Sequence, residues 1–135
     1  MSKPFIACII DDDAIHKFTV TRTIESRKLA KKTLVFSDGE LAIQFLTDNV
    51  SNNENLPDII FLDVNMPVMD GWQFLEEYLC IKPQIEKNIV IYMVSSSSNP
   101  ADLERVKNTS EISDYIIKPV MPDTLTKIMT ALETN

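Results

Sequence analysis

Four groups of polar side chains stand directly after apolar runs in this sequence. Asp11, Asp12 and Asp13 follow FIACII, Asp63 ends DIIFLD, Ser95 and Ser96 follow IVIYMV, and Lys118 follows YII. Two or three crowded carboxylates repel one another and are partly neutralised by a proton or a cation. Carboxylates with a backbone carbonyl form a hard oxygen set that suits Mg2+ with several waters retained. One carboxylate can also act as a nucleophile and accept a phosphoryl group, as in enzymes that form an aspartyl-phosphate. A phosphoryl group in transfer needs its oxygens neutralised: a metal takes one, a lysine another and a hydroxyl a third. Asp11 and Asp12, Asp63, Ser95 and Lys118 supply that set.

Taken singly, each residue has an ordinary structural reading. An aspartate after a strand caps the helix that follows. Lys118-Pro119 is turn chemistry, Ser95–Ser98 is a serine-rich loop, and Asn65, Met66, Pro67, Asp70 and Gly71 build a turn before a helix at Trp72. Chance assembly of all four in this order is much harder to argue. His16, the only histidine, is read without a chemical role, because one histidine cannot build a zinc cluster. Trp72 and Met93 read as packing residues and Met66 as loop packing.

The elements that must position these groups are legible as apolar patterns. Phe5–Ile10, Asp58–Leu62 and Ile89–Val94 are near-continuous apolar runs, the mark of strands buried on both faces. Tyr115–Ile117 is a fourth run, and Thr33–Phe36 is a weaker one suited to a sheet edge. Leu125, Ile128, Met129 and Leu132 give the clearest helical stripe. Leu41, Ala42, Phe45 and Leu46 give another, and Leu75, Tyr78 and Leu79 continue a third from Trp72. Asp13–Arg27 and Pro100–Asn108 complete the helices with weaker periodicity. Asp38 is placed to cap the second helix and Pro122 to open the last, while 48–57 is a polar, Asn-rich loop.

The result is strand then helix, five times over. That alternation implies parallel pairing, right-handed crossovers and a three-layer α/β/α sandwich. In such a sheet the carboxyl ends of the strands line one crevice where ligands bind. The four polar groups all fall there.

Composition narrows the function. The 135 residues suit one domain, 1–135 with a core of about 5–132, and 44% hydrophobic content suits a real core. A net charge of -7 argues against a nucleic-acid surface. Cys8 and Cys80 make no disulfide framework, Lys3 precedes only a short apolar run ended by Asp11, and no segment approaches the roughly 20 apolar residues of a membrane span. The expected location is the cytoplasm. Glu133-Thr134-Asn135 reads as a natural end rather than a linker.

With these residues in view, the chain resembles a response-regulator receiver domain of two-component signalling, in a single-domain, chemotaxis-regulator-like form. The marks are the acidic pair after strand 1, DVNMPVMDGW around Asp63, VSS after strand 4 and YIIKP at 115–119. The resemblance covers Phe5 to Leu132. It implies a flavodoxin-like (βα)5 fold with strand order 2-1-3-4-5, Asp63 as phosphoacceptor, and a sensor histidine kinase or histidine phosphotransfer protein as donor. It implies Mg2+ held by Asp12, Asp63 and the Asn65 carbonyl, with Asp11 acting mainly through water. Lys118 would contact a phosphoryl oxygen, and its bond to Pro119 is often cis in the family. Asp13 falls outside the family pair and is left as a helix N-cap.

The resemblance also implies a switch. Phosphate on Asp63 would draw Ser95 inward, and the ring of Tyr115 would enter the space Ser95 leaves. The face of the fourth helix, fifth strand and fifth helix (Pro100–Asn108, Tyr115 and Pro122–Glu133) would then change for a downstream protein target. Asn65 and Ser97 would tune hydrolysis. The domain would catalyse its own phosphorylation and dephosphorylation while serving mainly as a switch. Where the family often has Gly-Ala before strand 5, this chain has Ser110-Glu111-Ile112-Ser113-Asp114, so the local turn is expected to differ. The competing readings are a phosphate-independent receiver-like binding module and a small Mg2+-dependent phosphatase using Asp63.

Overall fold

A computed structural model describes residues 4–132; Lys3 and the Glu133–Asn135 end lie outside them. The elements in order are β1 (Ile6–Ile10), α1 (Ala14–Ser26), β2 (Lys32–Phe36), α2 (Gly39–Asp48), β3 (Ile59–Asp63), α3 (Gly71–Ile81), β4 (Val90–Ser95), α4 (Pro100–Lys107), β5 (Ile112–Ile117) and α5 (Pro122–Ala131). The five strands form one parallel sheet in the order β2-β1-β3-β4-β5. β2 is an edge strand, as its weaker pattern suggested.

Two apolar layers cover the sheet. One joins Cys8, Ile10, Ile60, Leu62, Ile91 and Met93 of the strands to α2 and α3 residues such as Leu46, Phe74 and Tyr78. The other joins Ala7, Ile9, Ile59, Phe61 and Val94 to Val20 and Ile24 of α1 and to Leu125 and Met129 of α5. Successive residues of β1 and β3 therefore point into opposite layers, which is why those runs are apolar without alternation. Cys8 is buried, as expected, and its burial pushes the thiol pKa upward.

Helix ends follow sequence chemistry. Asp13 caps α1 by accepting from the backbone of Ile15 at 3.0 Å and His16 at 3.2 Å. Asp38 caps α2 through Leu41 N–H at 2.9 Å, and Pro122 opens α5. Asp70 and Gln73 form a reciprocal capping box at the start of α3. α1 closes with Lys28 at φ 53° and a bond from Leu29 N–H back to the Ile24 carbonyl at 2.9 Å.

Two boundaries differ from the sequence reading. The fifth strand spans Ile112–Ile117 rather than Tyr115–Ile117, because Ile112 is buried and pairs with Ile91. Its pairing then slips, with Tyr92 facing Asp114, so Ser113 is skipped. The 110–114 stretch is thus turn only through Glu111 and strand from Ile112, with the bulge at Ser113. The 48–57 loop contains a 3-10 turn at Asn53–Asn55 and buries Leu56.

Candidate functional site: an acidic cluster at the carboxyl end of the sheet

Sheet register assembles the site. Ile10 pairs with Leu62, so the next residues, Asp11 and Asp63, come out side by side from β1 and β3. Ser95 ends β4 beside Ile117, and the Lys118 backbone N–H donates to the Ser95 carbonyl at 2.8 Å. Lys118 therefore enters from the far side of the same crevice. Its peptide bond to Pro119 is cis.

Gly71 allows the loop after Asp63 to close. A β-carbon there would lie 2.7 Å from the Asp63 carbonyl oxygen and 3.0 Å from Val64 Cα. Only glycine lets the start of α3 approach so closely, and Gly71 N–H donates to the Val64 carbonyl at 2.8 Å. Between them, Val68 is held at φ 68°, which is unfavourable for a β-branched residue.

Asp11, Asp12 and Asp63 each offer a carboxylate oxygen, all within 4.8 Å of one another. Asp11 and Asp63 are buried at 1% and 3% exposure, whereas Asp12 is exposed. Lys118 Nζ lies 3.0 Å from Asp11 Oδ2, 3.1 Å from Asp11 Oδ1 and 3.5 Å from Asp63 Oδ2. The ammonium thus sits mainly on Asp11. Among the described residues Asp63 has one backbone donor, Asn65 N–H at 3.3 Å.

That asymmetry splits the two carboxyl groups. Burial works to raise the Asp11 pKa, but donors from His16, the Asp13 backbone and Lys118 outweigh it and hold Asp11 at about 2. Burial and then the Asp11 charge push Asp63 up to about 7, against the weaker pull of Lys118 and Asn65 N–H. Burial would lower the Lys118 pKa, yet its bond to Asp11 raises it. Such a split is characteristic of functional carboxylates. The all-oxygen cluster suits a divalent cation, whose charge would relieve the repulsion.

Ser95 is fully buried; its Oγ accepts from Ser97 N–H at 3.1 Å and from Asn65 Nδ2 at 3.5 Å. The Tyr115 hydroxyl donates to the Ser97 carbonyl at 2.6 Å, with the ring packed partly buried against the core. Ser97 therefore bridges Ser95 and Tyr115. Trp72 packs as expected and also donates from Nε1 to Asp102 at 3.1 Å, with Arg105 over its ring at 4.2 Å.

Sequence reasoning missed one residue. His16 is buried, with Nδ1 2.7 Å from Asp11 Oδ2. Its place five residues after Asp11, on the inward stripe with Val20 and Ile24, was the available signal.

Comparison with known proteins defines the class. Residues 7–130 match the family model described as response regulator receiver domain, and the chain belongs to that family. A protein-glutamate methylesterase/protein-glutamine glutaminase of Rhodospirillum centenum is 32% identical over 119 residues, covering 87% of this chain and 28% of that protein. This chain thus spans about a quarter of that relative's length. A two-component response regulator from Cytophaga hutchinsonii superposes with a TM-score of 0.86 at 22% identity, covering 98% of this chain and 100% of that one. The Mn2+-bound form of response regulator Rcp1 superposes with a TM-score of 0.73 at 22% identity, covering 97% and 93%. The last two share the fold. Among the described residues, no helix is long and apolar enough to cross a membrane.

Proposed function

We propose that this chain is a phosphoacceptor response regulator in a histidine–aspartate phosphorelay, with Asp63 as the acceptor. The observation that carries this reading is the state of Asp63: buried beside a second carboxylate, raised to about 7, and 3.5 Å from a lysine ammonium. An acceptor carboxylate so poorly solvated is reactive once the charge around it is balanced.

In the transfer, an ionised Asp63 oxygen attacks the phosphorus of a phosphohistidine. The O–P bond forms as the N–P bond breaks, and the electron pair stays on the imidazole nitrogen, which takes up a proton from water. Lys118 shifts part of its charge from Asp11 to a phosphoryl oxygen, and Ser95 Oγ donates to another. A divalent cation bound by Asp12, Asp63 and the Asn65 carbonyl, and by Asp11 through water, would supply the charge that keeps Asp63 ionised; Mg2+ fits this donor set. Asn65 and Ser97 flank the acyl phosphate and tune its hydrolysis.

The output follows from the Ser97 bridge. Drawing Ser95 toward phosphate strains the Ser97 N–H bond and, through the same peptide segment, the Tyr115 contact. The face of α4, Tyr115 and α5 then changes for a downstream protein partner. The donor is a sensor histidine kinase or a histidine phosphotransfer protein, and the setting is cytoplasmic.

The test is intact mass after incubation with a small phosphoryl donor and Mg2+. One alkali-labile phosphoryl adduct is expected on the wild type, absent from Asp63→Ala and from a metal-free control. No adduct from either small donors or a phosphohistidine protein would overturn the reading.

A further inference from the structure

We infer that His16 is a positioning residue for Asp11, and through it for the divalent cation of the acidic cluster. This deepens the phosphoacceptor reading and rests on it. The imidazole is 7% exposed and lies between two fixed partners. Nδ1 is 2.7 Å from Asp11 Oδ2, and the Val120 backbone N–H points at Nε2 from 3.5 Å. Because an N–H faces Nε2, that nitrogen is the acceptor and Nδ1 carries the proton, so the ring donates to Asp11.

The arrangement fills Asp11 completely. Oδ1 takes Asp13 N–H and Lys118 Nζ; Oδ2 takes His16 Nδ1 and Lys118 Nζ. Of these donors, Lys118 is the one the proposed transfer redirects to a phosphoryl group. The Asp13 backbone and His16 would then be what keeps the Asp11 carboxylate in place. His16 also ties β1 to the segment after Lys118-Pro119, so both walls of the crevice share one anchor. A group that orients a metal-site carboxylate from behind influences affinity without touching the ion.

Two substitutions separate this role from packing. His16→Leu keeps the volume and removes the donor. His16→Asn loses volume but places an amide N–H close to where Nδ1 stood. Mn2+ alone is the probe, titrated into the full chain by calorimetry, with thermal melts and half-saturating Mg2+ for adduct formation measured alongside. His16→Leu is expected to weaken Mn2+ binding about tenfold while retaining its melting temperature better than His16→Asn. His16→Asn is expected to keep near wild-type affinity despite lower stability. Nitrogen NMR of the wild type should show a protonated Nδ1 and an unprotonated Nε2. Unchanged Mn2+ affinity in His16→Leu, or an affinity that tracks stability across both variants, would overturn the role while leaving the acceptor reading intact. Wild-type protein that binds no Mn2+ would overturn the site reading itself, and the positioning role with it.

Discussion

β3 carries an aspartate at each end, and the two are treated very differently. Asp58, just before the strand, accepts Ile6 N–H at 2.7 Å and pairs with Lys87 at 3.3 Å. Lys87 in turn donates to the carbonyls of Leu56 at 2.6 Å and Asn53 at 3.2 Å, fastening the 48–57 loop. Asp63, at the other end, has a carboxylate neighbour, a lysine held mainly by that neighbour and one long backbone bond. Asp58 is partly exposed and satisfied, so it serves structure. Asp63 is buried and under-satisfied, so binding a proton, a cation or a phosphoryl group can relieve it.

Substituting Asp63 tests the contrast most strongly. Asp63→Asn should lose the phosphoryl adduct completely, read by intact mass. It should also stabilise the metal-free protein at pH 8 by roughly 1–3 kcal/mol, read by denaturant melts, because it removes a poorly solvated charge. The same substitution at Asp58 should do neither.

Lys118→Met comes next. It removes an ammonium in contact with both carboxylates and should slow adduct formation roughly 100-fold. Asp58→Ala should leave adduct formation unchanged but lower stability by about 1–3 kcal/mol, because Ile6 N–H loses its acceptor.

The pH dependence should separate the carboxylates of the site. Asp63 is raised from 3.8 to about 7, so the folded chain holds a proton that the unfolded chain releases. Its contribution to stability is present at low pH and is lost as pH rises from about 4 through about 7. Asp11 is lowered from 3.8 to about 2, so its contribution is present above about 4 and is lost as pH falls through about 2. In metal-free melts, Asp63→Asn should flatten the upper slope and spare the lower one. The smallest effect is expected at Val68, exposed at φ 68° in the loop between Asp63 and Gly71. Val68→Gly should add about 1 kcal/mol of thermal stability with the adduct retained.

Much of this is legible in the sequence. Strands buried on both faces leave apolar runs with sharp polar ends, so β1, β3 and β4 were found within about a residue. The same sharp ends exposed Asp11, Asp63, Ser95 and Lys118 as candidates. Asp13, Asp38 and Pro122 were readable because helix caps act over two or three residues. β5 was truncated because its first half, Ile112-Ser113-Asp114, carries a bulge and only one buried side chain.

What the sequence determined by itself was therefore the set of elements, their order and the residues at their polar ends. Those depend on periodicity and on interactions a few residues apart. Tertiary structure decided how charge is shared. That Lys118 binds Asp11 more closely than Asp63 joins residues 107 apart in sequence, and no local pattern reports it. The same holds for His16, whose burial and partners exist only once α1 packs on the sheet and Val120 arrives from the other end of the chain. Local chemistry nominated Asp63; long-range packing raised its pKa and gave it a histidine-backed neighbour.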